Sequence, residues 1–418
     1  MDRFVIRGGV PLAGTVSVSG SKNSMLALMA ASLLSEEPVL LQNAARVHDV
    51  STMIRILGAL GVEAVWEADD VLRLGGSEPT ATEAPYDLVR TMRASFMVLG
   101  PLLARCGHAR VSLPGGCAIG ARPVDQHLKG LEALGAKVEL VGGYVEARAS
   151  RLRGAPVVFD TSTVNGTQNV LMAACLAEGQ TRIQNAALEP EVGELIGVLQ
   201  AMGARIEGAG TDQLTVEGVT RLKGATHRVA GDRIEAGTLL AAAAITGGDV
   251  TVTGLCLDQL ASVVEKLREI GLELDTRPDR VRVRRAGPLR GVRVTTARFP
   301  GFPTDMQAQI MALLCLAPGS SVLTETIFEN RFMHVSELQR MGADITVNGR
   351  TAIIQGVAGL SGAPVMATDL RASASLLLAG LAARGDTHVM RVYHIDRGYD
   401  RIEQKLASLG ARIRRIRD

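Results

Sequence analysis

One stretch decides the fold: Leu131-Glu132-Ala133-Leu134-Gly135-Ala136-Lys137-Val138. Its core is Leu-x-x-Leu/Met/Ile-Gly, and the glycine recurs as Gly61, Gly135, Gly203, Gly271, Gly342 and Gly410. Successive glycines are 74, 68, 68, 71 and 68 residues apart, so six repeats of about seventy residues cover the chain. Because glycine readily takes the left-handed conformation that ends a helix, each repeat predicts an amphipathic helix followed by a strand.

A second helix, rich in Ala and Leu on every side, precedes each of these phrases. Helices that are apolar all round belong in an interior. We therefore expect buried helices walled by sheets, with three repeats closing each of two domains. An open solenoid is the alternative, but no polar capping repeat is present at either end. The buried helices are predicted over 24–34, 92–105, 169–177, 236–245, 306–316 and 373–383.

Length and composition support two compact domains and exclude several classes of protein. A chain of 418 residues exceeds the size of one ordinary core, and 47% hydrophobic against 21% charged residues leaves ample surface to bury. A net charge of +2 with 3% aromatics argues against a nucleic-acid-binding protein. The start of the sequence has no signal-like apolar core, and no apolar run is long enough for membrane insertion, so we expect a cytoplasmic protein.

Cysteine and histidine usage gives no sign of a disulfide or a metal site. Five cysteines without a close pair fit a reducing compartment, and seven histidines show no HxxxH spacing. We expect no metal and no other cofactor.

One loop breaks the equivalence of the repeats. From the glycine after the buried helix to the glycine after the outer helix, repeat 2 spans 28 residues (Gly107 to Gly135). Repeats 3 to 6 span 24, 23, 23 and 25, counted from Gly179, Gly248, Gly319 and Gly385. The additional residues fall in the glycine-rich segment 114–123, which contains Cys117 and Arg122. Because Cys117 lies in such a loop and near a cation, it is the best candidate for a reactive cysteine in this sequence. The alternative is that it is a loop thiol without a chemical role.

Polar groups also interrupt the starts of the buried helices. Lys22 and Asn23 begin the first helix, where free backbone N–H groups attract an anion, although the segment is not a P-loop. The others are Arg90 and Arg93, Arg233 and Glu235, Asp305, and Asp369 with Arg371. We expect these positions to lie at one end of each bundle. For any single one, a helix cap or an ion pair is the alternative.

Several segments carry a family resemblance: Gly20-Ser21-Lys22-Asn23, Thr91-Met92-Arg93-Ala94-Ser95, Leu113-Pro114-Gly115-Gly116-Cys117, Phe302-Pro303-Thr304-Asp305, Thr368-Asp369-Leu370-Arg371 and Ile395-Asp396-Arg397-Gly398-Tyr399. They resemble the enolpyruvyl transferases, and among them the UDP-N-acetylglucosamine 1-carboxyvinyltransferases, from end to end. The resemblance implies two inside-out α/β barrel domains, each of three βαβαββ units, over 22–229 and over 1–21 with 230–418. It places the active site in the cleft between them and returns the first strand to the second domain.

The resemblance also implies a reaction and residues for it. The 3-hydroxyl of UDP-N-acetylglucosamine adds to C2 of phosphoenolpyruvate while C3 gains a proton, and phosphate then leaves. Cys117 resembles the proton donor and Asp305 the base that takes the hydroxyl proton. Lys22, Asn23, Arg122 and Arg397 match positions that hold phosphoenolpyruvate.

Further positions match the nucleotide-sugar site: Arg93, Arg122, Pro123, Val124, Asp125, Gln126, Thr163, Val164, Asn165, Asp305 and Ile327. Arg371, Asp369 and Arg331 match positions that close the cleft. One position departs from the pattern, because Thr161 stands where several relatives have a lysine, which puts one contact to the diphosphate in doubt.

Two other functions remain open. A 5-enolpyruvylshikimate-3-phosphate synthase would share the sixfold repeat and the chemistry, but the Cys117 loop counts against it. A scaffold that has lost catalysis would keep the fold alone, and the joint presence of Lys22, Cys117, Arg122, Asp305 and Arg397 counts against that.

Overall fold

The computed structural model describes residues 2–114 and 124–417, which form two compact units. One unit comprises 20–114 with 124–230, and the other 2–19 with 231–417. Each has its own hydrophobic core. None of the helices in the described ranges has the length and apolar character needed to cross a bilayer.

Each unit is built around three buried helices, as the sequence predicts. Ala372–Ala382 shows why: its ASASLLLAGLA sequence has no polar face, and all but its last residue are buried. Short 3-10 segments extend three of these helices, Ser32–Leu34 at the end of one and Arg93–Val98 and Thr304–Met306 at the start of two. The helices themselves are Lys22–Ala31, Leu99–Cys106, Val164–Ala174, Arg233–Thr246, Gln307–Leu314 and Ala372–Ala382.

A second helix in each repeat lies outside this bundle and is amphipathic. All six recurrent glycines that follow these helices have positive φ, between 80° and 105°, which confirms the helix-ending role expected of them. One prediction is wrong by a residue: Gly247, not Gly248, ends the fourth buried helix, because it is the one in the left-handed conformation. The outer helices are His48–Ala59, Asp125–Ala133, Pro190–Ala201, Ala261–Glu269, Val335–Arg340 and Ile402–Ser408. Shorter helical segments are Tyr86–Val89, Leu257–Leu260 and Tyr393–Asp396.

Six four-stranded sheets wall the bundles. In each, the first two strands are parallel and the other two antiparallel. In the unit of 20–230 the orders are Ala225–Arg228, Val39–Gln42, Val71–Leu74, Ala64–Ala68; Glu83–Ala84, His108–Ser112, Tyr144–Arg148, Lys137–Val141; and Pro156–Val158, Gln180–Gln184, Gln213–Glu217, Arg205–Glu207. In the other unit they are Ala13–Ser17, Asp249–Thr253, Arg280–Arg284, Glu273–Arg277; Arg293–Thr295, Ser320–Thr324, Thr351–Gln355, Asp344–Asn348; and Pro364–Met366, Asp386–Met390, Arg3–Arg7, Arg412–Ile416.

Strands distant in sequence close each unit. Ala225–Arg228 pairs in parallel with Val39–Gln42, so the three repeats of that unit form a closed wall rather than an open solenoid. Arg3–Arg7 lies between Asp386–Met390 and Arg412–Ile416, as the family resemblance implied and periodicity did not reveal. Both units are therefore inside-out α/β barrels, in agreement with the predicted fold class.

Candidate active site

In the unit of 231–417, the starts of all three buried helices meet at one side chain, Arg371. Asp232 caps the first helix, Asp305 lies in the 3-10 segment before the second, and Arg371 precedes the third. The Arg371 guanidinium lies 3.6 Å from Asp232 Oδ2 and 3.5 Å from Asp305 Oδ2. Of the predicted polar residues of this unit, Asp305 and Arg371 are thus brought together here, beside Asp232.

Arg371 carries its charge in a buried place. Burial by itself opposes that charge, but the carboxylates of Asp232 and Asp305 and the hydroxyl of Tyr399 keep the pKa of Arg371 above its ordinary value. The guanidinium also lies over the Tyr399 ring, 5.2 Å from its centre. A permanent cation therefore holds two carboxylates side by side.

Asp305 is held by a second arginine on its other oxygen. Arg331 Nη2 donates to Asp305 Oδ1 at 2.6 Å, and its Nη1 donates to Thr304 Oγ1 at 2.7 Å. The Arg331 side chain is buried, whereas 27% of the Asp305 side chain is exposed. Asp305 is therefore a fixed carboxylate that remains accessible, as a base acting on a bound ligand must be.

A buried hydroxyl network lies beneath these residues. Tyr399 Oη is 3.0 Å from Thr238 Oγ1, and Gln309 Nε2 is within 3.2 Å of both oxygens. The same Gln309 nitrogen donates to the backbone carbonyl of Asp305 at 3.0 Å. Tyr399 follows Arg397 by two residues, so the network ties the segment of Arg397 to the start of the helix behind Asp305.

Three further predicted residues of this unit make local contacts. Asp369 Oδ1 accepts hydrogen bonds from the backbone of Arg371 and Ala372, which makes it the capping side chain of that helix. The backbone N–H of Ile327 donates to Glu325 at 2.8 Å. Glu235 is buried and ion-paired with Lys405, so it does not join Asp232 at Arg371.

In the unit of 20–230, Lys22 is the first residue of its helix and is paired. Its Nζ lies 3.1 Å from Asp49 Oδ2, and both side chains are mostly buried. Ser21 caps the helix by accepting from the Ser24 N–H at 3.3 Å. Asn23 is the next residue and half-buried. A lysine held in this way presents its charge in a defined place, which suits recognition of an anion.

A second group of predicted residues joins two helix starts of this unit. Gln126, at the start of Asp125–Ala133, accepts from the Asp160 N–H at 2.9 Å and donates to the Asp160 carboxylate at 3.2 Å. Asp160 precedes Thr163, whose hydroxyl caps the helix Val164–Ala174 by accepting from Gly166 N–H. Val124 and Asp125 thus lie at the same end of the unit as Thr163, Val164 and Asn165.

Thr161 stands where several relatives have a lysine, but the side chain of Lys129 lies close to this segment. Lys129 Nζ lies 2.6 Å from Asp160 Oδ1, one residue before Thr161. The structure thus places a cation near this segment from the outer helix instead.

His127 is buried between this group and Arg93. Asn169 Nδ2 lies 3.0 Å from His127 Nδ1 and also donates to the Phe96 carbonyl, so Nδ1 is the acceptor and the ring proton resides on Nε2. Burial, with the charge of Arg93, lowers the pKa of His127 to about 4. His127 is therefore neutral near pH 7.

Cys117, Arg122 and Pro123 lie outside the described residues. The other four cysteines are free thiols. Cys175 and Cys315 are buried, as predicted, but they lie directly after the helices Val164–Ala174 and Gln307–Leu314 rather than within them, and burial raises the pKa of each to about 12. Burial also raises the pKa of the exposed Cys106, so none of these three is an activated thiol.

The family model described as EPSP synthase (3-phosphoshikimate 1-carboxyvinyltransferase) matches residues 6–406. The chain belongs to this family of enolpyruvyl transferases.

Two relatives within the enolpyruvyl transferases are similar over nearly the whole chain. A protein of Anaeromyxobacter sp. (strain Fw109-5) is 60% identical over 419 residues, and one of Myxococcus xanthus (strain DK1622) is 58% identical over 417 residues. Each comparison covers 99% of both chains, and each relative is named UDP-N-acetylglucosamine 1-carboxyvinyltransferase. The crystal structure of the enolpyruvyl transferase NikO from Streptomyces tendae has a TM-score of 0.90 at 28% identity, covering 99% of this chain and 98% of that one.

Three residues of this enolpyruvyl transferase were missed by sequence reasoning: Asp232, Tyr399 and Glu325. Asp232 could have been found as the cap residue directly before a buried helix. Tyr399 lies in a quoted motif, but the pairing of its hydroxyl with Thr238 depends on the tertiary fold. Glu325 follows a strand, where a single charged residue reads as solvent-exposed, yet it is only 1% exposed.

Proposed function

We propose that the chain transfers the enolpyruvyl group of phosphoenolpyruvate to the 3-hydroxyl of UDP-N-acetylglucosamine, releasing phosphate, as the first committed step of peptidoglycan precursor synthesis. The observation that carries this proposal is the 58–60% identity over 99% of both chains with relatives of that name. The fixed and accessible carboxylate of Asp305 supports it, since addition of a hydroxyl group to C2 of an enol phosphate needs a base for the hydroxyl proton.

The proposed chemistry is addition followed by elimination. The sugar oxygen bonds to C2 of phosphoenolpyruvate, its proton passes to Asp305, and C3 takes a proton from the Cys117 thiol. The C2–O bond to phosphate then breaks while C3 returns a proton to the Cys117 thiolate, which re-forms the double bond, and the proton on Asp305 leaves with phosphate. Neither step changes the oxidation state of the whole, so no redox cofactor is needed.

Binding roles are proposed residue by residue from the family resemblance. Lys22, Arg122 and Arg397 would hold the carboxylate and phosphate of phosphoenolpyruvate, with Asn23 beside them. The residues proposed for UDP-N-acetylglucosamine are Arg93, Arg122, Pro123, Val124, Asp125, Gln126, Thr163, Val164, Asn165, Asp305 and Ile327. For Arg371, Asp369 and Arg331 the resemblance implies a role in closing the cleft, and the contacts of Arg371 and Arg331 with Asp305 support a role in ordering that carboxylate.

One assay tests the reaction. Purified protein is mixed with phosphoenolpyruvate and either UDP-N-acetylglucosamine or shikimate 3-phosphate, and phosphate release is followed. We expect release with the nucleotide sugar alone. Release with shikimate 3-phosphate alone would assign the chain to the other acceptor, and no release with either would favour a scaffold that has lost catalysis.

A labelling experiment tests the role of Cys117. Fosfomycin, an epoxide that mimics phosphoenolpyruvate in this family, should add covalently to Cys117, and Cys117→Ser should abolish the adduct and slow turnover. Cys106→Ser is the matched control, because Cys106 is an exposed thiol whose pKa is raised by burial. Mass spectrometry that finds the label on Cys106 or Cys256 would refute the assignment.

We also propose that the protein works in the cytoplasm, because both proposed substrates are intracellular metabolites. Its five cysteines include no close sequence pair, which suits a reducing compartment. Cell fractionation with an antibody against the protein tests this, and recovery mainly outside the cytoplasmic fraction would contradict it.

A further inference from the structure

Glu325 is a buried carboxylate that stands apart from the equivalent positions of the other repeats. It directly follows the central strand Ser320–Thr324 of the fifth repeat. In four other repeats this position has positive φ, and it is occupied by Asn43, Asn185, Gly254 and Arg391. A scaffold position that normally turns the chain is here occupied by an acid, and such departures between equivalent repeats indicate a particular role.

Four neutral donors surround this carboxylate. Oε1 accepts from the backbone N–H groups of Ile327 and Phe328, at 2.8 and 3.1 Å, and from Thr296 Oγ1 at 3.0 Å. Oε2 accepts from Thr304 Oγ1 at 2.8 Å. These bonds join three separate segments and give both oxygens of a buried carboxyl group hydrogen-bond partners.

The bond to Thr304 has a direction that matters. A carboxylate can only accept, so the single hydroxyl proton of Thr304 is committed to Glu325. The Thr304 oxygen must then act as acceptor on its other side, and it does so toward Arg331 Nη1 at 2.7 Å. The second arm of the same guanidinium, Nη2, donates to Asp305 Oδ1 at 2.6 Å.

We propose that Glu325 is a positioning residue that, by orienting the hydroxyl of Thr304, aims Arg331 at Asp305. The inference rests on the proposed role of Asp305 as the base that takes the sugar proton. Glu325 acts through Thr304 and Arg331 and needs no contact with substrate. The same carboxylate fixes the backbone at Ile327, so it organises two segments that the family resemblance assigns to the site.

Among the described residues, several charged or titratable groups lie around Asp305. Arg331 and Arg371 contact its two oxygens. Asp232 and Tyr399 face Asp305 through Arg371, and the buried His334 lies near Arg331. The two arginines favour the ionised carboxylate, so loss of the Arg331 contact should make Asp305 easier to protonate.

The test is Glu325→Gln. Two backbone N–H groups retain the amide oxygen at the Oε1 position, so the NH₂ group must face Thr304 and donate to it. The Thr304 proton then has no carboxylate acceptor to orient it, so the hydroxyl no longer holds Arg331 in one direction and the arm on Asp305 loses its alignment. With UDP-N-acetylglucosamine as acceptor we expect kcat to fall by roughly tenfold or more, with KM for phosphoenolpyruvate changed far less. The acidic limb of the kcat/KM profile should move to higher pH by at least about 0.5 unit.

Thr304→Val removes the same link without touching Glu325 and should reproduce both effects, while Thr304→Ser should restore the wild-type values. Combining Glu325→Gln with Thr304→Val should add little to either change, because both break one chain of bonds. Thr324→Val is the matched control: it removes a neighbouring hydroxyl that pairs with Thr351 across the sheet, and it should leave rate and profile unchanged.

Different outcomes separate this inference from the proposed function. If the wild type releases phosphate from phosphoenolpyruvate and UDP-N-acetylglucosamine but Thr304→Val keeps the wild-type rate and pH profile, the positioning role is refuted and the function stands. If the variants lose rate equally at every pH, with no shift of the acidic limb, Glu325 is structural only. If the wild type itself is inactive with this acceptor, the proposed function fails first. Should Glu325→Gln not fold, the Thr304 variants decide alone.

Discussion

Arg371 is the shared counter-charge of two carboxylates in the unit of 231–417. It is a buried cation between two carboxylates from different helix starts. Removing one partner of such a group leaves an uncompensated charge in a medium that solvates it poorly, which costs more than the pair itself contributes. The residue therefore links folding stability and the proposed chemistry of Asp305.

At this position we expect Arg371→Met to lower the free energy of unfolding by about 3–5 kcal/mol, because Asp232 and Asp305 lose their common counter-charge. Arg371→Lys should keep the charge but lose the planar fork, with a smaller loss of stability and at least a roughly tenfold loss of kcat/KM. Urea denaturation and phosphate release measure the two effects. Arg90→Met is the control, since Arg90 is exposed and its described partners, Asp87 and the Tyr86 ring, lie on the surface beside it. Equal stability of the Arg371 and Arg90 variants would contradict the role of Arg371 as a shared counter-charge.

Sequence reasoning identified individual charged residues better than the partners they use. Asp305, Arg371 and Asp369 interrupt apolar helix starts and were singled out for that reason. Their arrangement could not be derived, because contacts such as Arg371 to Asp232 join residues far apart in the chain. Glu325 was missed because burial of an acid depends on four donors from three segments.

At the level of elements, the buried helices were predicted well wherever their faces are wholly apolar. The helix of the third repeat begins at Val164, whereas the sequence predicted 169. The reason is that Thr167, Gln168 and Asn169 are polar yet buried, since Ala187 N–H, Glu191 O, Gly100 N–H and Phe96 O pair with them. From the sequence alone, a polar side chain that is buried and hydrogen-bonded to a distant segment cannot be distinguished from one on the surface.

The close approach of two buried helices predicts a substitution effect. A Cβ on Gly100 would lie 2.4 Å from the backbone oxygen of Asn169, so Gly100→Ala should force the helices apart and lower the free energy of unfolding by about 1–3 kcal/mol. Gly58→Ala is the matched control: Gly58 lies in the helix His48–Ala59 with open space around it, and alanine there should stabilise by about 0.5–1 kcal/mol. Chemical denaturation checks both signs, and a stabilised Gly100→Ala would show that the helix contact is not tight.

The contact between His127 and Asn169 predicts how stability depends on pH. The pKa of His127 is about 4 in the folded protein, below its ordinary 6.5, because burial disfavours the charged ring. Between these values the unfolded chain binds a proton that the folded protein does not. The contribution of His127 to the free energy of unfolding is therefore fully present above pH 6.5. It is lost as the pH falls toward 4, by up to about 1.4 kcal/mol per pH unit.

Denaturation at pH 7.0, 6.0 and 5.0 measures this slope, and His127→Gln should make it shallower by about one proton. His127→Gln also tests whether the hydrogen bond from Asn169 survives with a neutral acceptor. An identical slope in both proteins would mean that His127 is protonated normally in the folded state.

At the scale of the whole molecule, one unit is formed by a continuous stretch of sequence, whereas the other combines two separate stretches. Residues 20–230 contain every strand of their three sheets. The other unit needs Arg3–Arg7 and Ala13–Ser17, and the segment 2–19 buries Phe4, Ile6, Leu12 and Val16. At about 1.5–3 kcal/mol for each large side chain, this segment contributes on the order of 10 kcal/mol, which is as much as a typical domain's net stability.

We therefore expect residues 20–230 to fold alone and residues 231–418 to remain unfolded. Arg3 lies opposite Ile416 in an antiparallel pair, so a short turn can join the two ends. A rearranged chain that runs 231–417, a short glycine linker and then 2–19 should regain cooperative thermal unfolding. Circular dichroism on the three proteins checks this, and cooperative unfolding of 231–418 by itself would show that the first strands are dispensable.

The position of Arg3–Arg7 between two strands near the other end of the chain has a consequence for biosynthesis. This segment is translated well before both of its neighbours, because Arg7 precedes Asp386–Met390 by 379 residues and Arg412–Ile416 by more. At roughly 5–20 residues per second it waits on the order of 20–80 s with its apolar side chains and strand edges uncovered. Nascent-chain chaperones therefore have a long opportunity to bind Arg3–Arg7.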